Sequence, residues 1–229
     1  MLSLLANLLP LSIASAIGPG QILFDTLLLR SPDRGALKAA CFVAGMTVVR
    51  LLQGIIFGFI LTGAIQSAAS SGQPHVISSL LLLVLGIFLL VTAYRQWRQE
   101  ENPDGPPPKW LSMIDSLTPL KAFGIGFILV ATSPNLWVFT LSAIAVISEA
   151  QVSQTEGILS FLLFVLLAET LVLLPILLRV MMPVQARNIL DSLSLWLTRN
   201  NRLLMIGVSL VFGVFFLVKG IAGLQIGIK

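Results

Sequence analysis

Two apolar runs in this chain, each long enough to cross a bilayer as one helix, are cut near the middle by a proline. Gly18-Pro19-Gly20 separates residues 2–17 from 21–29, and Ser133-Pro134-Asn135 separates residues 122–131 from 136–147. Proline removes an intrahelical hydrogen bond and clashes with the preceding turn, and glycine lets the backbone leave helical geometry. In hydrocarbon, the freed N–H and C=O groups are tolerated only where protein or a wet cavity satisfies them. Pro134 follows Pro19 by 115 residues in a chain of 229, so the interruptions fall at matching places in two halves. Paired breaks of this kind point to a transporter's binding site near the bilayer midplane.

Composition places the chain in lipid. It is 56% hydrophobic and 10% charged, with a mean hydropathy of +0.97, whereas soluble domains carry about 25% charge. Six segments, 2–29, 36–62, 76–94, 120–147, 157–180 and 203–224, are each long enough for a hydrocarbon core about 30 Å thick. The net charge of +4 does not read as nucleic-acid binding, because the basic residues follow a topology pattern. Arg30, Arg34 and Lys38 mark loop one, Arg95, Arg98, Lys109 and Lys121 loop three, and Arg179, Arg187, Arg199 and Arg202 loop five; loops two and four have none. The positive-inside rule makes the odd loops cytoplasmic and puts both termini outside. Ala14-Ser15-Ala16 has the form of a signal-peptidase site, but no Lys or Arg precedes it, so the segment reads as a span.

The expected fold is an all-α polytopic membrane protein of two inverted-topology three-helix repeats, with helices 1 and 4 broken at Pro19 and Pro134. Residues 1–95 form the first repeat, 96–119 a Pro-rich cytoplasmic linker, and 120–229 the second repeat. Within the latter, residues 186–199 gather Ile189, Leu190, Leu193, Trp196 and Leu197 on one face, predicting an amphipathic helix on the cytoplasmic interface.

Two charges lie deep. Counting back from the turns near Asp33 and Val152, Arg50 and Glu169 each sit roughly 20 Å or more into the membrane at about 1.5 Å per residue. An isolated charge there costs about 2.5–3.5 kcal/mol, so such residues face the interior and find a partner. They occupy similar depths on the second helix of each repeat and have opposite sign, so they are expected to meet between the repeats. Either they form an ion pair that only locks the halves together, or Arg50 coordinates substrate and Glu169 couples a proton or cation. The candidate substrate site comprises Gly18, Pro19, Gly20, Gln21, Thr47, Arg50, Ser133, Pro134, Asn135, Glu169 and Thr170, with Ser15, Gln53 and Thr132 beside them. N–H groups opening the half-helix after Pro19 would favour an anion. Asp25 is expected to play an interfacial role, pairing with Arg30 or Lys38. His75 reads as a solvated helix-start residue, Trp97, Trp110 and Trp196 as interfacial belt residues, and Trp137 as packing.

Enzyme chemistry has no support. One Cys and one His cannot supply a zinc cluster, no phosphate-cradling Gly-rich Lys-Ser/Thr loop is present, and His75 is too shallow to serve an intramembrane hydrolase. No metal or cofactor is implied.

Ser31-Pro32-Asp33-Arg34-Gly35-Ala36-Leu37 with Phe42-Val43-Ala44-Gly45-Met46 resembles the first hairpin of the GAP/Sap (sulfolipid-1-addressing) family. Residues 108–119, Pro-Lys-Trp-Leu-Ser-Met-Ile-Asp-Ser-Leu-Thr-Pro, are similar to that family's central segment, and residues 196–202 with Gly213 and Lys219-Gly220 to its terminal part. The family lies in the lysine-exporter (LysE) superfamily of six-span transporters. The resemblance implies efflux, with breaks at the family's helix-one and helix-four positions; named members of the family are associated with moving glycolipids to the cell surface, and the resemblance does not fix the substrate. The superfamily's thiol-electron transporters place a cysteine beside each proline. This chain has Gly18 and Ser133 there, and its lone Cys41 cannot shuttle a disulfide.

The expected protein is therefore a secondary exporter of a small amphipathic or anionic molecule or lipid, working by alternating access in a bacterial inner membrane. The alternatives are an assembly or addressing factor for a larger lipid-export machine and a passive channel. Membrane lipids, a small-molecule or lipid substrate and a coupling ion or proton are the expected partners, and a homodimer is an assembly it could form. Nucleic acid is not expected. Both broken helices should border a watery or ligand-filled hollow.

Overall fold

Prolines in this chain begin helices more often than they bend them. The computed structural model describes residues 2–70, 74–98 and 117–227. Their helices are α1 (Leu2–Ala16), α2 (Pro19–Arg30), α3 (Gly35–Ser70), α4 (Pro74–Arg98), α5 (Pro119–Thr132), α6 (Pro134–Glu149), α7 (Gln154–Ala168), α8 (Thr170–Met181) and α9 (Pro183–Gly227). Pro19, Pro74, Pro119, Pro134 and Pro183 each open one, where the missing N–H has no intrahelical partner to lose.

Three helices are long and apolar enough to cross a membrane alone, at Gly35–Leu61, Ser78–Arg98 and Arg199–Leu224. Three further spans are bent pairs: α1–α2 at 56°, α5–α6 at 71° and α7–α8 at 59°. The first two bends are the Pro19 and Pro134 breaks. Gly18 (φ −102°, ψ 95°) and Ser133 (φ −89°, ψ 101°) have nearly the same extended backbone, the conformation that a following proline imposes. The third bend falls at Glu169, inside the segment 157–180 that the sequence predicts as one span. Pro175 is six residues further on and frees the carbonyl of Leu171, not those at the bend.

The packing repeats itself between halves. α3 lies along α5 as α7 lies along α1, α2 meets α9 as α6 meets α4, and α4 pairs with α9. These contacts map onto one another when each first-half element is exchanged for its second-half counterpart. Large apolar side chains such as Phe59, Val84 and Val211 face outward while Arg50, Gln21 and Asp25 are buried, the reverse of a soluble protein's partition. At the α7 end, Ser153 and Glu156 form a reciprocal capping box. Two expectations change. Residues 186–199 are not a separate interfacial helix but the start of continuous α9, with Leu190 and Leu197 buried in a cluster with α2 and α3 side chains. Helix α3 also runs on to Ser70, beyond the predicted end at Thr62. Linker residues 99–116, including Lys109 and Trp110, lie outside the described residues, as does the side chain of His75.

Close approach of the halves depends on glycine. A Cβ at Gly126 would run into the Phe42 carbonyl oxygen, and one at Gly45 into that of Phe123, so α3 and α5 pack backbone to backbone. Gly126→Ala is therefore expected to lower the melting temperature in detergent, with a loss of about 1–3 kcal/mol from overpacking. Gly124→Ala, where a Cβ meets open space, should melt at or above the wild-type temperature. Equal melting of the two variants would refute the contact.

Candidate functional site

Two apolar clusters divide the interior. One joins Ile22, Leu28, Phe42, Val49, Val130, Leu136 and Val172; the other joins Leu11, Ala14, Leu89, Phe139, Phe164 and Ala168. Along the chain, two of the bends fall where one cluster gives way to the other, between Ala14 and Ile22 and between Ala168 and Val172; at Pro134 the change comes just beyond the break, between Leu136 and Phe139. Polar side chains collect at this seam.

At its centre, Arg50 Nε on α3 stands 3.4 Å from Glu169 Oε1 at the α7–α8 bend, both side chains being almost fully buried. Arg50 Nη1 donates to Ser15 Oγ on α1 at 2.8 Å. Thr47 Oγ1 lies 2.7 Å from Glu169 Oε2 and 2.9 Å from the Val43 carbonyl, so its one proton serves either acceptor. Glu169 has a bridge-region backbone (φ −101°, ψ 0°), and its own carbonyl accepts from Val172 N at 3.0 Å and Leu173 N at 2.9 Å. The bend thus aims the carboxylate at α3 without leaving that carbonyl unbonded.

The backbone freed by each proline has a side-chain partner. Pro19 removes the N–H that would bond Ser15 O, and Gln21 Nε2 donates to that carbonyl at 3.2 Å. Pro134 removes the N–H that would bond Val130 O, and Trp137 Nε1 lies 3.1 Å from both Val130 O and Ala131 O. A Cβ at Gly18 would occupy the space of the Gln21 amide, which explains a glycine there and not at Ser133.

These caps overturn one expectation. The freed carbonyls are met by protein rather than by a hollow. A cavity of about 830 Å³ lies elsewhere, between α3 and the α6–α7 hairpin; Ile55, Phe59 and Phe161 line its apolar length, and Gln151, Ser153 and Gln154 its polar end.

Of the predicted site residues, the structure brings Gln21, Thr47, Arg50 and Glu169 together, with Gly18 and Pro19 shaping the Gln21 cap. Ser133, Pro134 and Asn135 form the second break, but their side chains make no hydrogen bond to the charged pair. Gly20 is exposed, and Thr170 is exposed and bonded back to the Leu166 carbonyl at 3.0 Å. Gln53, one turn beyond Arg50, is buried with neither end of its amide bonded; Arg50 Nη2 and Gln21 Oε1 are also unbonded. Asp25 does not pair with Arg30 or Lys38. Arg30 instead holds Asp191 at 2.8 Å, and Lys38 Nζ donates to Ser31 Oγ at 2.7 Å. The capping role of Trp137 was missed; its position three residues after Pro134 is the only sequence signal for it.

Fold and site together define a polytopic α-helical membrane protein with a buried charged centre where its two halves meet. Family comparison is more particular: the model of Sap, sulfolipid-1-addressing protein, matches residues 8–222, and the chain belongs to that family. No curated protein and no solved structure matches it.

Trp137→Phe keeps an aromatic ring against Phe57, which Trp137 meets edge-on at 5.5 Å, but removes the N–H. The variant is expected to lose about 1–3 kcal/mol, the cost of leaving buried carbonyls unsatisfied, read as a lower melting temperature in detergent. Wild-type melting would show that the cap carries no stability.

Proposed function

We propose that the protein is a secondary exporter that moves an anionic amphiphile or lipid across the bacterial inner membrane by rocking one repeat against the other. The observation carrying this reading is the incomplete bonding of Arg50. Its guanidinium is fully buried, yet Nη2 has no partner and the Gln53 amide one turn away has none. Buried donors without acceptors are expensive, and a phosphate, sulfate or carboxylate headgroup would satisfy them bidentately. The start of α2, which no side chain caps, adds a positive helix end at the same break.

The conformation described is the closed one. Arg50 and Glu169 bind each other; cargo entering on one side would displace Glu169 from Arg50 and free its carboxylate for a coupling proton or cation. Alternating access follows if the seam between the apolar clusters parts first on one face and then on the other. Membership of a family described as lipid-addressing favours a lipid or glycolipid cargo. The basic loops support cytoplasmic odd loops and external termini. Contacts of Arg30 with Asp191 and of Arg202 with the Gln96 and Trp97 carbonyls gather loops one, three and five at one end of the molecule.

The test is leaflet transfer. Full-length protein is reconstituted in phosphatidylethanolamine–phosphatidylglycerol vesicles containing a trace of fluorescent phosphatidylglycerol or fluorescent glycosyl diacylglycerol. Dithionite quenching then follows transfer under an imposed pH gradient. Wild type is expected to accelerate transfer of at least one lipid in a gradient-dependent way. Arg50→Lys should slow it about tenfold or more, as loss of a charge-assisted hydrogen bond predicts. No protein-dependent transfer of either lipid under either gradient would overturn the reading and favour an addressing factor that transports nothing itself.

A further inference from the structure

One charged group on α2 is used neither by the Arg50–Glu169 pair nor by the helix breaks. Asp25 is completely buried, and neither carboxylate oxygen has a hydrogen-bond partner. The elements packed against α2 are α3, α8 and α9. Among the described side chains, their charged groups are Lys38 and Arg50 on α3, Glu169 and Arg179 at α8, and Asp191, Arg199, Arg202 and Lys219 on α9; none of these hydrogen-bonds Asp25. Six of them are bonded elsewhere: Lys38 to Ser31, Arg50 and Glu169 to each other, Asp191 to Arg30, Arg202 to the Gln96 and Trp97 carbonyls, and Lys219 to Asn7 Oδ1. The neighbouring hydroxyl of Thr26 turns back onto the carbonyls of Ile22 and Leu23 at 2.8 Å.

An ionised carboxylate taken out of water without a donor or counter-charge costs several kcal/mol, whereas the neutral acid costs far less. Asp25 also lies six residues beyond Pro19 on the short half-helix that carries Gln21, about 9 Å along its axis. Any movement of α2 at its break carries this side chain with it.

We infer that Asp25 is a proton-binding site: it holds a proton in the closed conformation and exchanges it with water at the Arg30 end of α2 when the seam opens. The step places one proton on a carboxylate oxygen and removes it again; no other bond changes. In an exporter this adds Asp25 as a second proton site, on α2, beside the Glu169 carboxylate that cargo frees at the seam. The inference rests on the rocking motion proposed above but not on the identity of the cargo.

Dicyclohexylcarbodiimide, an apolar reagent that adds to protonated carboxyl groups within membrane proteins, provides the test. Purified full-length protein in detergent is treated across a series from acidic to mildly alkaline pH and mapped by peptide mass spectrometry. Asp25 is expected to be modified at acidic pH, with yield falling at least tenfold toward alkaline pH. Asp25→Asn, which keeps the shape and neutrality of the acid, should show no adduct there and melt like wild type. An unmodified Asp25 at every pH while Asp33, exposed in the α2–α3 turn, reacts with a water-soluble carbodiimide would overturn the proposal. So would a pH-independent yield, or an Asp25→Asn protein that fails to fold. If Asp25 is modified as expected but no lipid moves in the vesicles, the export reading falls and the proton site stands.

Discussion

The contact between Arg50 and Glu169 is the constraint to which the rest of the interior answers. Neither charge could remain alone between two apolar clusters, and each sits on the second span of its repeat. The first span supplies Ser15 to Arg50, and α3 supplies Thr47 to Glu169. The α7–α8 bend then has a clear purpose: it turns the glutamate toward α3 at the level where the clusters part. Burial of such a pair is weak evidence for net stability, because desolvation offsets much of the attraction. Its value is better sought in specificity, fixing how the halves meet.

The helix breaks solve a second problem at the same level. A proline in hydrocarbon frees the carbonyl four residues earlier, and both halves answer with a side-chain N–H from just beyond the break. The first half uses an amide, which requires Gly18 to make room; the second uses an indole that reaches two carbonyls at once. Because side chains rather than helix geometry supply these bonds, either break can be remade with another partner, whether water or a polar headgroup.

Much of this arrangement was legible in residue order. Pro19 and Pro134 marked the breaks because proline acts locally on the backbone, and counting helical rise from the turns brought Arg50 and Glu169 to one depth. Other features depend on tertiary contacts that spacing does not encode. Glu169 bends a helix without glycine or proline beside it. Trp137 looks like packing until the freed carbonyls it faces are located. Asp25 lies within reach, along the sequence, of two cations that fold toward Ser31 and Asp191 instead. Of the apolar face of residues 186–199, Leu190, Leu193 and Leu197 pack with α2 and α3 side chains, while Ile189 and Trp196 stay exposed.

The most direct measurement of the central contact is a double-mutant cycle on Arg50 and Glu169, read as unfolding free energy of the purified protein in detergent. Arg50→Ala and Glu169→Ala should each lose about 3–5 kcal/mol, because each strands the other charge in the interior. The double variant should lose no more than either single one. Additive losses, or single variants as stable as wild type, would contradict the claim that these two side chains hold the halves together.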